Sequence, residues 1–453
     1  MTDSSARGRH ASMRAGILRL AWPVLIGQLA VMINGLIDTV MAGRLSAVDL
    51  AGIGIASSIY VSAYIGLMGV LVALTPMAAQ HFGAQRFSEI GADTRQALWL
   101  ALALSIAGSW VIAQTDWWMA LAKPPTEIEP VVRGYLYAVA AGLPGALAFR
   151  VFYAMNNAIA RPKVVMLINL IGLLLKVPLN LLFMYGAGPI PALGGAGCGV
   201  ATALIVWCSA LIALLVVVRD PTYARFHLLG SMRPELRRIV GLLRLGIPIA
   251  IGYVIEVTSF TAISIALARS GTIISASQQI AGNLISLAYM FALSMAIATS
   301  TLTGHALGAG DIKLARRTAL YGIRLTFLTG LAIGLIIVFG RYQIAALYTS
   351  DPVVATAAVG LLVWAGVYHV FDATQCTLCF TLRAYKVATL PTVVYAVALW
   401  GVGVGLGWWL AFVARPDGLS PAQAFWVAGT LGVFITALSL GWVQWRTFER
   451  ARR

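Results

Sequence analysis

Long runs of apolar residues, separated by short polar stretches, recur from one end of the chain to the other. A hydrocarbon core of about 30 Å needs roughly 20 apolar residues per helical crossing. Twelve segments meet that length: 16–41, 51–80, 96–115, 132–158, 164–186, 197–218, 239–268, 277–304, 317–340, 353–381, 387–413 and 422–445. The pattern predicts an all-α polytopic membrane protein of twelve transmembrane helices. The first apolar segment is too long for a signal peptide and lacks a cleavage-site pattern, so it is expected to remain as the first helix.

A second pattern lies over the first. The segment LRLAWPVLIGQ at 18–28 matches LRLGIPIAIGY at 243–253, placing Pro23 over Pro248 and Gly27 over Gly252. The same offset of 225 puts Ala51 over Ala276 and Gly83 over Gly308, and it drifts to about 223 where Lys163 meets Lys386. Each repeat holds an even number of helices and therefore enters the membrane in the same orientation. This predicts two six-helix bundles related by a pseudo-two-fold along the membrane normal. The expected division is an N-terminal lobe 1–218, a basic linker 219–238 and a C-terminal lobe 239–453.

Composition agrees with lipid as the solvent: 60% of residues are hydrophobic, 11% are charged, and mean hydropathy is +0.86. The net charge of +16 raises the question of a polyanionic partner, which the location of the cations answers. With the N-terminus inside, the outer loops hold only Arg44, Lys123, Arg133, Arg269, Arg341 and Arg415, and Arg150 and Lys176 lie within spans. Every other Lys and Arg of the 32 falls on the inner side, including Arg7, Arg9, Arg452 and Arg453 near the ends. The positive-inside rule accounts for the basic balance without nucleic acid and predicts a multi-pass protein of the inner (plasma) membrane with both termini cytoplasmic. A monomer is expected. The four cysteines, Cys198, Cys208, Cys376 and Cys379, fall in or beside spans, where the CxxC spacing of the last two reads as one small apolar helix face.

Ionisable groups at membrane depth are costly, so each needs a partner, water or a ligand. The acids that cannot be placed in loops or at helix ends are Asp38, Glu256 and Asp372, and the interior cations are Arg150 and Lys176. Glu256 lies about 18 Å along its helix from Arg244, near mid-membrane. Asp372 reaches a similar depth on a helix running inward, with Tyr368 at i−4, His369 at i−3 and Cys376 at i+4. Two carboxylates and a phenol oxygen are hard donors that suit Na⁺, and the acids can equally carry a proton. The alternative is a hydrogen-bonded pair that ties helices together. His369 reads as a packing residue. Lys176 and Asn180 share one face of the fifth helix, and the lysine needs an anion, either Asp38 or a second-half acid. Its pair is either structural or opens during transport. Arg150 reads as structural, its long stem reaching toward polar atoms.

The segments LIDTVMAGRLSAVDLAGIGIASS (36–58), KVPLN (176–180), GYVIEVTSF (252–260), SASQQIAGNL (275–284) and YHVFDATQ (368–375) resemble the multidrug and toxic compound extrusion (MATE) family, in its NorM-like branch. The resemblance implies export of small organic cations in exchange for Na⁺ or H⁺ by alternating access of two lobes, with no cofactor beyond the coupling ion. It places the cation site on Glu256, Asp372 and Tyr368, the first-half acid on Asp38, and cavity contacts on Ser58, Phe260, Gln279 and Asn283. Phe260 lies one turn beyond Glu256, so a ring and a carboxylate together could hold a flat cation. Lys176 departs from the family pattern, which usually has asparagine there, and LRAYKVATLP (382–391) lacks the glycine and acid that often follow such an arginine. The wider superfamily also includes flippases for lipid-linked intermediates, the alternative cargo. No HExxH or GxSxG-type motif accompanies His369, which argues against an intramembrane enzyme.

Overall fold

The computed structural model describes the backbone of residues 2–452 and the side chains of 13–451. The side chains of Arg7, Arg9 and Arg452, and the whole of Arg453, lie outside the described residues. Among the described residues, twelve helices are long and apolar enough to cross a membrane. They are α1 (Met13–Leu45), α2 (Ala47–Gly83), α3 (Phe87–Ala113), α4 (Glu129–Ala158), α5 (Pro162–Tyr185), α6 (Gly195–Arg219), α7 (Leu236–Ala268), α8 (Thr272–Gly308), α9 (Ile312–Phe339), α10 (Pro352–Ala384), α11 (Thr389–Ala414) and α12 (Pro421–Ala451). Most extend a few residues past the apolar segments, because a helix does not stop at the hydrocarbon edge but at a cap. Ser46 starts α2 by accepting the Asp49 N–H at 2.9 Å. Asp351 starts α10 by accepting the Val353 N–H at 2.8 Å, with Pro352 in the first turn.

The repeat is legible in the elements themselves. A short helix follows α3 (Thr115–Ala122) and another follows α9 (Arg341–Tyr348). The last part of α5 widens into a π-helix at Leu181–Tyr185, and α11 does the same at Ala396–Leu406 and Trp409–Ala414. In the first half α4 packs against α2, α3 and α6, and in the second α10 packs against α8, α9 and α12. These contacts are close because small residues meet. A Cβ on Gly366 of α10 would lie 2.7 Å from the Gly334 carbonyl oxygen of α9, so a side chain there would force the backbones apart. Large apolar side chains point the other way: Leu174, Ile336 and Leu438 are exposed on their helices, as expected where lipid is the neighbour.

Contacts divide the chain into two compact units, one of Ile26–Ala250 and one of the remaining residues. The division falls inside α1 and inside α7, just past Pro23 and Pro248, and the segment 219–238 lies wholly within the first of these units. Packing gives the reason. Ile17, Ala21 and Val24 of α1 pack with Met295, Ala296, Ile297 and Ala298 of α8 and with Cys376 and Phe380 of α10. The approach to α7 is pinned along α3: Gln96 donates to the Arg233 carbonyl at 3.0 Å, the Glu235 N–H donates to Gln96 at 2.8 Å, and Trp99 donates to the Met232 carbonyl at 2.6 Å. Arg238 then pairs with Glu89 and Asp93 at 2.8 and 2.9 Å, while His81 meets the second oxygen of Asp93 at 3.2 Å. Glu89, Asp93 and Gln96 recur at helical spacing, so one face of α3 holds the whole connection.

Candidate functional site

In the second half, α7 presents Tyr253, Glu256 and Phe260 one turn apart, and α10 carries Tyr368, Asp372, Cys376, Cys379 and Arg383 on one stripe. Asp372 is buried and accepts a hydrogen bond from Gln375 Nε2 at 3.0 Å. The other end of that amide, Gln375 Oε1, is buried with no donor to it among the described residues. Glu256 is half-buried, and the charged groups acting on it are Asp372 and Arg383. Asp372 therefore lies within electrostatic reach of Glu256.

Tyrosines surround that environment. Tyr289 and Tyr395 both feel the charges of this group, and the Tyr289 hydroxyl contacts Cys376 Sγ at 3.7 Å. Tyr368 is buried, its ring edge-on to Trp426 with centroids 5.5 Å apart. Trp426 in turn donates to Gln278 Oε1 at 2.7 Å. Phe260, Gln278, Tyr368 and Trp426 line a common cleft. The arrangement is rich in oxygen acceptors and π-faces, which suits a bound cation.

Arg383 is the second-half residue that sequence reasoning misplaced. Assigned by position to the cytoplasmic cations, it is 7% exposed, bonds the Tyr253 hydroxyl at 3.1 Å, and lies over the Phe380 ring at 4.4 Å. A signal was present, since Arg383 sits eleven residues beyond Asp372 and so returns to the same helix face. Tyr253, Tyr289, Tyr395, Gln278 and Gln375 also went unnamed; only Tyr253, three residues before Glu256, and Gln375, three after Asp372, had local spacing to point to them.

Three other candidates are exposed. Gln279 and Asn283 stand outward on one face of α8, joined by Ser286 at the next turn. Gln279 takes no part in the cleft that its neighbour Gln278 lines. Ser58 is exposed on α2, its hydroxyl bonded back to the Gly54 carbonyl at 2.8 Å. His369 is fully buried, and both its ring nitrogens lack a partner among the described residues.

In the first half the geometry is different. Lys176 of α5 is 2% exposed and donates to Asp38 Oδ1 of α1 at 2.8 Å, so Asp38 is its anion. The ammonium also donates to Thr202 Oγ1 of α6 at 2.7 Å, and Thr202 passes its own proton to the Cys198 carbonyl at 2.9 Å. Asn180, one turn after Lys176, donates to the same Asp38 oxygen at 2.8 Å. Asn180 Oδ1 is buried and unpartnered among the described residues. Arg150 places its guanidinium 4.3 Å from the Tyr153 ring centre.

Comparison with known proteins adds an independent reading. The MatE family profile matches residues 23–182 and again 248–409, once for each half, with the two matches starting at Pro23 and Pro248. The probable multidrug resistance protein NorM of Aromatoleum aromaticum is 37% identical over 93% of this chain and 92% of its own. The multidrug resistance protein NorM of Vibrio cholerae is 34% identical over 96% and 97%. Among solved structures, the eukaryotic MATE transporter AtDTX14 matches with a TM-score of 0.87 at 17% identity, over 98% of this chain and 99% of that one. An outward-facing multidrug resistance MATE transporter matches with the same score at 19% identity, over 97% of both chains. At those identities the structures speak to fold alone, and they share the twelve-helix architecture. With the profile covering most of the chain twice over, and relatives above 30% identity along nearly its whole length, this protein belongs to the MatE family.

Proposed function

We propose that this protein is a secondary multidrug efflux antiporter of the inner membrane, both termini cytoplasmic, exporting small organic cations in exchange for Na⁺ or H⁺. The observation that carries the reading is that Glu256 and Asp372 lie within electrostatic reach inside one unit, with the Gln375 amide bonded to Asp372 and its oxygen left without a donor among the described residues. Two acids at membrane depth with so many acceptors around them call for a positive ligand. Glu256, Asp372 and the Tyr368 phenol supply hard oxygens for Na⁺, and either carboxylate can hold a proton instead.

Exchange follows from competition. A drug cation and the coupling ion claim the same negative charge, so arrival of one favours departure of the other as the two halves alternate access. Phe260 lends a ring to the cationic drug beside Glu256. Exposed polar side chains at membrane depth require water, so Ser58 on α2 and, separately, Gln279 and Asn283 on α8 suit a hydrated surface that meets drug rather than a lipid face. The relatives named as multidrug resistance proteins support this cargo class. A flippase for anionic head groups needs free cations, and Lys176 is committed to Asp38.

The test is efflux of ethidium from proteoliposomes under an imposed Na⁺ gradient and, separately, a pH gradient. One of the two gradients drives efflux, and Glu256→Gln and Asp372→Asn each abolish it while the protein still inserts and purifies as wild type. Wild-type transport by both variants overturns the site.

A further inference from the structure

We propose that Lys176 is a tethered cation occupying a cation site in the first half, which closes Asp38 to mobile ions and leaves a Na⁺ or H⁺ site when the ammonium is removed. The proposal concerns a site outside the second-half acids, and only its consequence for coupling rests on the antiporter reading above.

The environment of the ammonium is that of a bound cation. Nζ is held by one carboxylate oxygen at 2.8 Å and one hydroxyl oxygen at 2.7 Å, contributed by α1 and α6, while its stem comes from α5. Three helices thus converge on one positive charge. Both acceptors are themselves held: Thr202 donates to the Cys198 carbonyl, leaving its hydroxyl lone pairs for Nζ, and the Asn180 amide nitrogen donates to Asp38. Asn180 Oδ1 is left buried beside the pair, without a donor among the described residues. An acceptor stranded next to a charge that is already filled is what remains when a site made for a cation is plugged by a single side chain, because a lysine delivers only three protons in fixed directions.

Burial supplies the second half of the argument. Lys176 is 2% exposed, so the ammonium is not solvated by bulk water and its charge is balanced by Asp38. Removing it leaves a buried carboxylate uncompensated, and such a group recovers neutrality by taking up a proton or a small cation. The donors for Na⁺ are then in place: Asp38, the Thr202 hydroxyl, and the Asn180 amide oxygen once that side chain turns over. With Lys176 present the first half contributes no mobile-ion site, so ion coupling in the native protein is the work of Glu256 and Asp372 alone.

The test measures binding rather than transport, in a chain whose second-half acids are silenced by Glu256→Gln and Asp372→Asn. Purified protein in detergent is titrated with ²²Na⁺, with a pH indicator reporting proton uptake at low buffer capacity. In this background the proposal expects no Asp38-dependent binding of either ion. Adding Lys176→Met creates one Na⁺ or H⁺ site per chain, which Asp38→Asn removes and Lys176→Arg does not create. Binding by the Lys176→Met chain also raises its melting temperature. Asp38-dependent binding with Lys176 intact overturns the proposal, as does a folded Lys176→Met chain that takes up neither ion. Should that variant fail to fold, the intact background still decides the matter: Asp38→Asn must leave its ion binding unchanged. Failure of the antiporter reading shows separately, as efflux by the Glu256→Gln and Asp372→Asn proteins.

Discussion

The two halves share a scaffold and treat buried charge in opposite ways. In the first, one acid meets one lysine: Asp38 and Lys176 at 2.8 Å, with Asn180 and Thr202 completing the contacts. In the second, two acids meet no lysine among the described residues, and Arg383 is bonded to Tyr253 and laid over Phe380. Positions related by the repeat make the contrast sharper, because Glu256 stands over Val31 and Asp372 over Phe149. Duplication supplied the helices. Acids then stand without a lysine in one copy and with one in the other, and under the proposed function such a carrier couples to an ion through one half.

The largest effect that could break this contrast is on transport. Glu256→Gln or Asp372→Asn is expected to abolish gradient-driven ethidium efflux, whereas a similar loss of negative charge in the first half is expected to act mainly through stability. Second in size, Lys176→Met in Na⁺-free alkaline buffer, where Asp38 has no ion to take up, is expected to cost about 3–5 kcal/mol, read as a lower melting temperature in detergent. The double variant Lys176→Met with Asp38→Leu should recover most of that loss, since replacing both partners by apolar groups is often neutral. If the double variant is no more stable than the single, the pair is not the reason for the cost.

Smaller changes sharpen the second half. Tyr368→Phe keeps the ring against Trp426 and removes one oxygen from the acid site. Half-saturation by the coupling ion is expected to rise about fivefold, in line with roughly 1 kcal/mol for one hydrogen-bonding group, with the melting temperature unmoved. Smallest of all in stability, Gln279→Ala and Asn283→Ala fall on an exposed face and should stay within about 0.5 kcal/mol of wild type. Their effect should appear in the KM for the drug, differing from one drug to the next, and an equal change in stability would place them in the packing instead.

Much of this was open to reading in the chain, for reasons that can be named. Span length is fixed by bilayer thickness, so α6 was expected at 197–218 and occupies Gly195–Arg219. Charged residues stand out in an apolar background, which is why Glu256, Asp372, Asp38 and Lys176 were found without knowing their neighbours. What spacing along one helix cannot convey is which side chain of a different helix arrives opposite. Trp426 and Tyr395 therefore went unnamed, although each is at the second-half site. Adjacent residues were equally ambiguous: Gln278 and Gln279 differ by 100° of helix rotation, and packing against α12 turns the first inward and the second out.

The sequence by itself determined the number of helices, the duplication and the identity of the charges that lipid will not tolerate, because each follows from the cost of placing polar groups in hydrocarbon. Only the tertiary structure decided how those charges are satisfied. Whether Lys176 met Asp38 or a second-half acid, whether Arg383 lay in a loop or in the core, and whether the units divide at the linker or within α1 and α7 all depend on contacts between segments far apart in the chain. Such contacts are set by the mutual fit of many side chains, and no local pattern records them.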